Sequence, residues 1–209
     1  MSLPFSSTEQ ETLLVQEDGR YLRFCYDSIM NYHGGAMPAG VALAFRMFLG
    51  LTAHYQALCG KVPERRSVSF YTGLGWNGQG IIDTAEAVYR VRSRGCLNTD
   101  IRACQKKDAP DAPGGGKYYF SGTIGEMSWE ASVREGIIGG DFFRISREMH
   151  TLHDDGSTPS DREIKELMAV RKATEQQLLK LMPDELFRFR IAASVEAVSM
   201  RASSDFLAP

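Results

Sequence analysis

Between residues 36 and 53 the chain carries an almost unbroken apolar run, in which Val41, Leu43, Phe45, Met47, Phe48, Leu49 and Leu51 leave little polar face. Pro38 suits a first helical turn, because its missing N–H would be unpaired there anyway. Gly60 can close the same helix with a left-handed residue. The pattern predicts a helix from Pro38 to about Leu58, and a helix apolar on all sides belongs in a core. Upstream, Leu13, Leu14 and Val15 predict a helix capped by Ser7 or Thr8. Leu22, Cys25, Tyr26, Ile29 and Met30 recur at helical spacing, which predicts a second helix over about 21–32. The sequence His33-Gly34-Gly35 then breaks it.

The middle of the chain alternates with a period of two. Val68, Phe70 and Thr72 interleave with Ser67, Ser69 and Tyr71, a strand. A glycine-rich turn over 73–80 follows, and 81–91 reads as a helix. Residues 117–124 and 127–133 predict a hairpin around Gly125-Glu126. In its second arm Trp129, Ala131 and Val133 alternate with Ser128, Glu130 and Ser132, so one face is wet and the pairing antiparallel. Residues 142–145 suggest a further strand. Ser160 and Glu163 form a capping box opening a helix to about Met182, where Pro183 stops it. Phe187, Phe189 and Ile191 alternate with Arg188 and Arg190, a last strand. The segments 97–116 and 152–160 are long and irregular, and such loops are usually functional or mobile. The pattern predicts one α+β domain over 1–193, a mostly antiparallel sheet packed on the long apolar helix, with a C-terminal tail over 194–209. So large an apolar helix and an edge strand at 187–191, which is a liability unless covered, predict a homodimer.

Composition narrows the partners. The 209 residues hold 24 basic and 26 acidic side chains, a formal charge of −2, so no strong field draws the chain to nucleic acid or anionic lipid. Arg46 in the middle of the apolar run, with Pro38, Gly40 and Gly50, argues against a membrane span. The polar start does not read as a signal peptide. Cys25, Cys59, Cys96 and Cys104 show no Cys-x-x-Cys spacing, which argues against a zinc ribbon or a thioredoxin motif. Reduced thiols in the cytoplasm are the simplest account.

The candidate chemistry centres on residues 32–40. His33 precedes two glycines and a helix start; a neutral imidazole there can ligate a metal, and free helix N–H groups can hold an anion. The structural alternative is that His33 only shapes the turn. Gly73-Leu74-Gly75-Trp76-Asn77-Gly78 fits Gly-x-Gly-x-x-Gly between a strand and a helix, the position of a dinucleotide fingerprint. Trp76 would crowd a pyrophosphate, and 94–99 does not read as the second apolar strand such a site needs, so a ligand-lining turn is the preferred reading. His150 and His153 stand three apart and share a helical face, so both could reach one ion. Residues 114–117, Gly-Gly-Gly-Lys, read as a mobile tip, and His54 as a core residue.

The segment from His33 to Gly40 resembles the start of the core domain in the FmdE family, named for a component of formylmethanofuran dehydrogenase, whose pattern is His-Gly-His-x-Cys-Pro-Gly ahead of a long apolar helix. His33, Gly34 and Pro38 match it, with Gly40 one place late. Asp83-Thr84-Ala85, Gly116-Lys117 before an apolar strand, and Glu185-Leu186-Phe187 after a long helix echo the family in the same order. The second motif histidine is Gly35 here and the cysteine is Met37. Gly80 stands for another family cysteine, and Cys96 is displaced from a third. The resemblance implies a pocket at His33, Gly34, Gly35, Met37 and Trp76. It also implies a divalent metal such as zinc held by His33 with Cys96, or a small molecule in its place, and a link to molybdenum or tungsten one-carbon metabolism. A metal-assisted or dinucleotide-dependent enzyme, and a degenerate relative that only binds a partner, are the alternatives.

Overall fold

The computed structural model describes residues 11–193. The proposed caps Ser7 and Thr8 and the tail 194–209 lie outside the described residues. The described residues begin with a hairpin, β1 (Thr12–Glu17) and β2 (Arg20–Cys25), where the sequence pattern predicts helices. Leu13 and Val15 are buried while Thr12, Leu14 and Gln16 are only partly so, which is strand periodicity. Asp18 and Gly19, at φ +50° and +77°, form the tight turn that Asp-Gly favours between twisted strands. The expected helix over 21–32 therefore shrinks to α1 (Tyr26–His33).

Gly34 ends α1 in the left-handed region, its N–H donating to the Met30 carbonyl at 3.0 Å. Four residues later begins α2 (Pro38–Cys59), closed by Gly60 in the same way. Val41, Phe45 and Phe48 are fully buried and Leu49 partly, as the apolar run requires. Arg46 is buried as well, and its charge is met by Glu11 at 2.7 Å and by the Leu179 carbonyl. The last two turns emerge from the core. His54 is half-exposed, its ring 5.2 Å from that of Phe189, and so is not the core residue expected.

A five-stranded sheet packs on α2. Its strands are β3 (Val68–Thr72), β4 (Leu97–Asn98), β5 (Tyr119–Ile124), β6 (Met127–Val133) and β7 (Phe187–Ala193), in the order β4-β3-β5-β6-β7. Every pairing is antiparallel except β3 with β4. The fold is α+β. Phe70 sits at the centre of the sheet's inner face, parallel to Phe120 at 6.3 Å and against Phe48 of α2 at 5.6 Å; Tyr89 touches the other side of Phe48 at 5.0 Å. Such aromatic tiers add about 0.5–1.5 kcal/mol per pair beyond the area they bury.

Between β3 and β4 runs α3 (Gln79–Tyr89). The β3–α3–β4 unit is a parallel crossover, so residues 97–98 do pair beside β3, but over two residues only. The segment 142–145 is not a strand. It lies in α4 (Gly140–Asp154), because Phe142, Ile145, Ser146 and Met149 recur at three and four residues. The capping box is formed: the Ser160 N–H donates to Glu163 Oε2 at 2.7 Å and the Glu163 N–H returns to Ser160 Oγ. The helix it opens, α5 (Asp161–Leu178), stops one turn short of Met182, and a single turn, α6 (Pro183–Leu186), leads into β7. Strand β7 pairs with β6 of its own chain and stands at the edge of the sheet. Among the described residues no helix is long and apolar enough to cross a membrane.

Candidate functional site

Two helices begin side by side. The starts of α2 and α3 meet at Gly40 and Gly80: a Cβ on Gly80 would lie 2.8 Å from the Met37 carbonyl oxygen and 2.9 Å from the Val41 nitrogen. Only glycine allows that approach. In front of the junction lies a cavity of about 480 Å³, within the ordinary range for small-molecule sites. The helix starts form one wall. The turn after β3 supplies Leu74, Trp76 and Asn77, and the strand-linking loop supplies Gly114 and Gly115. The two loops are tied together, since Asn77 Nδ2 donates to the Gly114 carbonyl at 2.8 Å and the Lys117 N–H to the Gly73 carbonyl at 3.0 Å. Residues 114–116 are therefore a wall and not a free tip.

The α4–α5 hairpin makes the opposite wall. One face of α4, carrying Phe142, Ser146, Met149, His150 and His153, lines the cavity, and α5 adds Leu167, Arg171, Thr174 and Leu178. The interior is chiefly apolar. Trp76 sits at the lip, 58% exposed, with the Arg92 guanidinium 6.0 Å from its ring. Among the described residues no aspartate or glutamate lines the cavity, whereas Arg171 and two histidines do. Arg171 is half-buried, and one of its Nη atoms donates to the Ala36 carbonyl at 3.0 Å. Among the described residues it has no carboxylate partner. Burial pushes its guanidinium down from the ordinary value, the direction expected when a charge is desolvated without a counter-ion.

His33 stands behind this wall. Its side chain is 4% exposed. Nδ1 is 2.8 Å from Asp83 Oδ2, and Nε2 accepts the Met37 N–H at 3.0 Å. An accepting Nε2 assigns the ring proton to Nδ1, which donates to the carboxylate. Asp83 is held in turn by Arg92 at 2.9 Å. The histidine thus braces the residue before Pro38, and Pro38 itself has no N–H to bond. Both ring nitrogens are engaged by protein groups.

The five residues expected to form a pocket are divided. Met37 and Trp76 line the cavity; His33, Gly34 and Gly35 do not. Cys96 is also outside it, immediately before β4, with its Sγ 3.6 Å from the Arg94 carbonyl oxygen. His33 is satisfied by Asp83 and Met37, and not by any group near Cys96. His150 and His153 do share a helical face, and that face lines the cavity, but no group of three metal-ligating side chains occurs among the described residues. The glycine-rich turn after β3 ends in a short helical turn at Gly75–Asn77, which lifts Trp76 to the lip. Compared with known proteins, the chain matches no family model, and no curated protein is significantly similar to it.

Two features of the site escape a reading of the sequence. The helical face of α4 is hidden because Phe142 and Phe143 adjoin and read as a strand, although Phe142, Ser146, Met149, His150 and His153 already show the spacing. Arg171 carries no local signal at all: it is one of many charged residues on α5, and only the packing of α5 on α2 brings it indoors.

Proposed function

We propose that this protein binds a small organic molecule in the cavity between the α2–α3 junction and the α4–α5 hairpin. The observation that supports the reading is an apolar cavity of about 480 Å³ walled by five separate segments of the chain. A concave, chiefly apolar cleft of this size is the ordinary form of a small-molecule site. The resemblance to the FmdE family agrees with a pocket at the start of the long helix. It does not supply the ligands for a metal centre, because Gly35 and Met37 replace two of them and His33 is engaged on both nitrogens. A cytoplasmic setting fits four free cysteines. A homodimer through the outer edge of β7 belongs to the same proposal, and a monomer mass by light scattering at micromolar protein would remove it.

The test uses N-phenyl-1-naphthylamine, an uncharged probe that brightens in apolar surroundings. Saturable binding at one site per chain is expected. Ser146→Phe, which places a ring inside the cavity, should abolish it while the variant still melts cooperatively. Thr174→Phe on the facing helix serves if the first variant does not fold. A probe signal that does not saturate, or that survives both substitutions, rejects the reading.

A further inference from the structure

We infer that the natural ligand is an apolar carboxylic acid, bound with its carboxylate on Arg171. This rests on the reading of the cavity as a ligand site and names the chemistry of what enters it.

The argument starts from charge. Of the described residues lining the cavity, Arg171 is the one permanent cation, and there is no aspartate or glutamate among them. An arginine brought indoors is ordinarily matched by a carboxylate, because an unpaired charge in a poor dielectric is costly. The two buried arginines of the described residues follow that rule. Arg46 meets Glu11 at 2.7 Å, and Arg65 meets Glu17 at 3.0 Å while also donating to the Val88 carbonyl. Arg171 breaks it. Half-buried at the cavity wall, it gives one N–H to the Ala36 carbonyl and meets no carboxylate among the described residues. A guanidinium offers five donors in a planar fork that fits a carboxylate with two parallel bonds.

The surroundings fit the same sign of charge. Ala36 immediately precedes Met37 and Pro38, so the guanidinium sits beside the start of α2, where the partial positive charge of a long helix favours an anion. The Ala39 amide has no acceptor among the described residues. One full positive charge with a helix end worth about half a charge favours an anion. In a chiefly apolar cavity a singly charged carboxylate costs less to desolvate than a phosphate monoester carrying about −1.5 to −2. The rest of the wall sets the body of the ligand: Leu43, Leu74, Ile138, Phe142, Leu167 and Leu178 offer no charge and little hydrogen bonding.

Displacement of N-phenyl-1-naphthylamine tests this. The competitors are decanoate, decanamide, decylamine and decyl phosphate, which share one apolar chain and differ in the head. Decanoate should compete about 30-fold more tightly than decanamide, about 2 kcal/mol at 1.4 kcal/mol per tenfold. Decylamine should be weakest, because it places a cation beside a cation. Arg171→Gln should bring decanoate level with decanamide, with each competitor read against the variant's own affinity for the probe. Equal competition by the acid and the amide in the wild type overturns the inference while the cavity reading stands. Tighter binding of decyl phosphate than of decanoate overturns the carboxylate assignment. If Arg171→Gln keeps the preference for the acid, Arg171 is not the anchor. No binding of the probe to the wild type is a different failure, that of the cavity reading itself. The wild-type comparison needs no variant to fold.

Discussion

Replacing His33 with alanine separates a brace from a metal ligand. The structure gives the magnitude. The imidazole makes one hydrogen bond to an ionised partner, Asp83, at 2.8 Å and accepts one from the Met37 N–H at 3.0 Å. A hydrogen bond to a charged group contributes about 1.5–3 kcal/mol and a neutral one about 1. Asp83 keeps Arg92 at 2.9 Å and so is not orphaned, which holds the total near the lower end. Contacts within one network do not add independently, so a loss of about 3 kcal/mol is expected. For a chain of this length each kcal/mol moves the melting temperature by about 2–4 °C, so His33→Ala should melt roughly 6–12 °C lower. Calorimetry and urea unfolding at one pH read this directly. Asp83→Asn supplies the internal comparison. It keeps an oxygen for the His33 N–H but forfeits the half-exposed ion pair with Arg92, and should lose only about 1 kcal/mol. A His33→Ala protein that melts within a degree or so of the wild type, and has lost affinity for zinc, would refute the reasoning, because the histidine would then be a ligand and not a strut.

Gly80→Ala should destabilise by about 1–3 kcal/mol, since its Cβ would press on backbone at Met37 and Val41 and no side chain there can swing aside; the same variant should weaken probe binding in the cavity, read by fluorescence titration. Lys107→Met should change the acid limb of the stability profile. The Lys107 ammonium, hydrogen-bonded to Glu130 at 2.7 Å, holds that carboxyl below its ordinary value. A depressed carboxylate contributes stability above the unfolded-state value, about 4.3, and loses it as the pH falls through the folded-state value. The wild type should therefore lose stability more steeply than Lys107→Met on going below about pH 4.3, as followed by urea midpoints; parallel profiles would refute the pairing.

The elements legible in the sequence are those whose pattern and punctuation agree. Pro38 and Gly60 bracket an apolar run, and α2 lies between them; Ser160 and Glu163 announce α5; the alternation around Gly125 gives the β5–β6 hairpin. The first strands escape a sequence reading for a physical reason. Leu13, Leu14 and Val15 are contiguous, and three adjacent apolar residues carry no period. The deciding signal is Asp18-Gly19, a hairpin turn, which outranks a short apolar run because it fixes backbone φ values that a helix cannot use. The site divides along the same line. A local motif locates the start of α2 and the turn carrying Trp76, both of which border the cavity. Local reasoning assigns chemistry to His33 because histidine is a versatile ligand. The partner that engages it, Asp83, is fifty residues away in α3, and only the junction of two helices at Gly40 and Gly80 brings it within reach. Arg171 is the converse case, a residue with no motif whose significance comes from the carboxylate it lacks. A missing counter-charge is a property of the packed molecule, and no spacing along the chain encodes it.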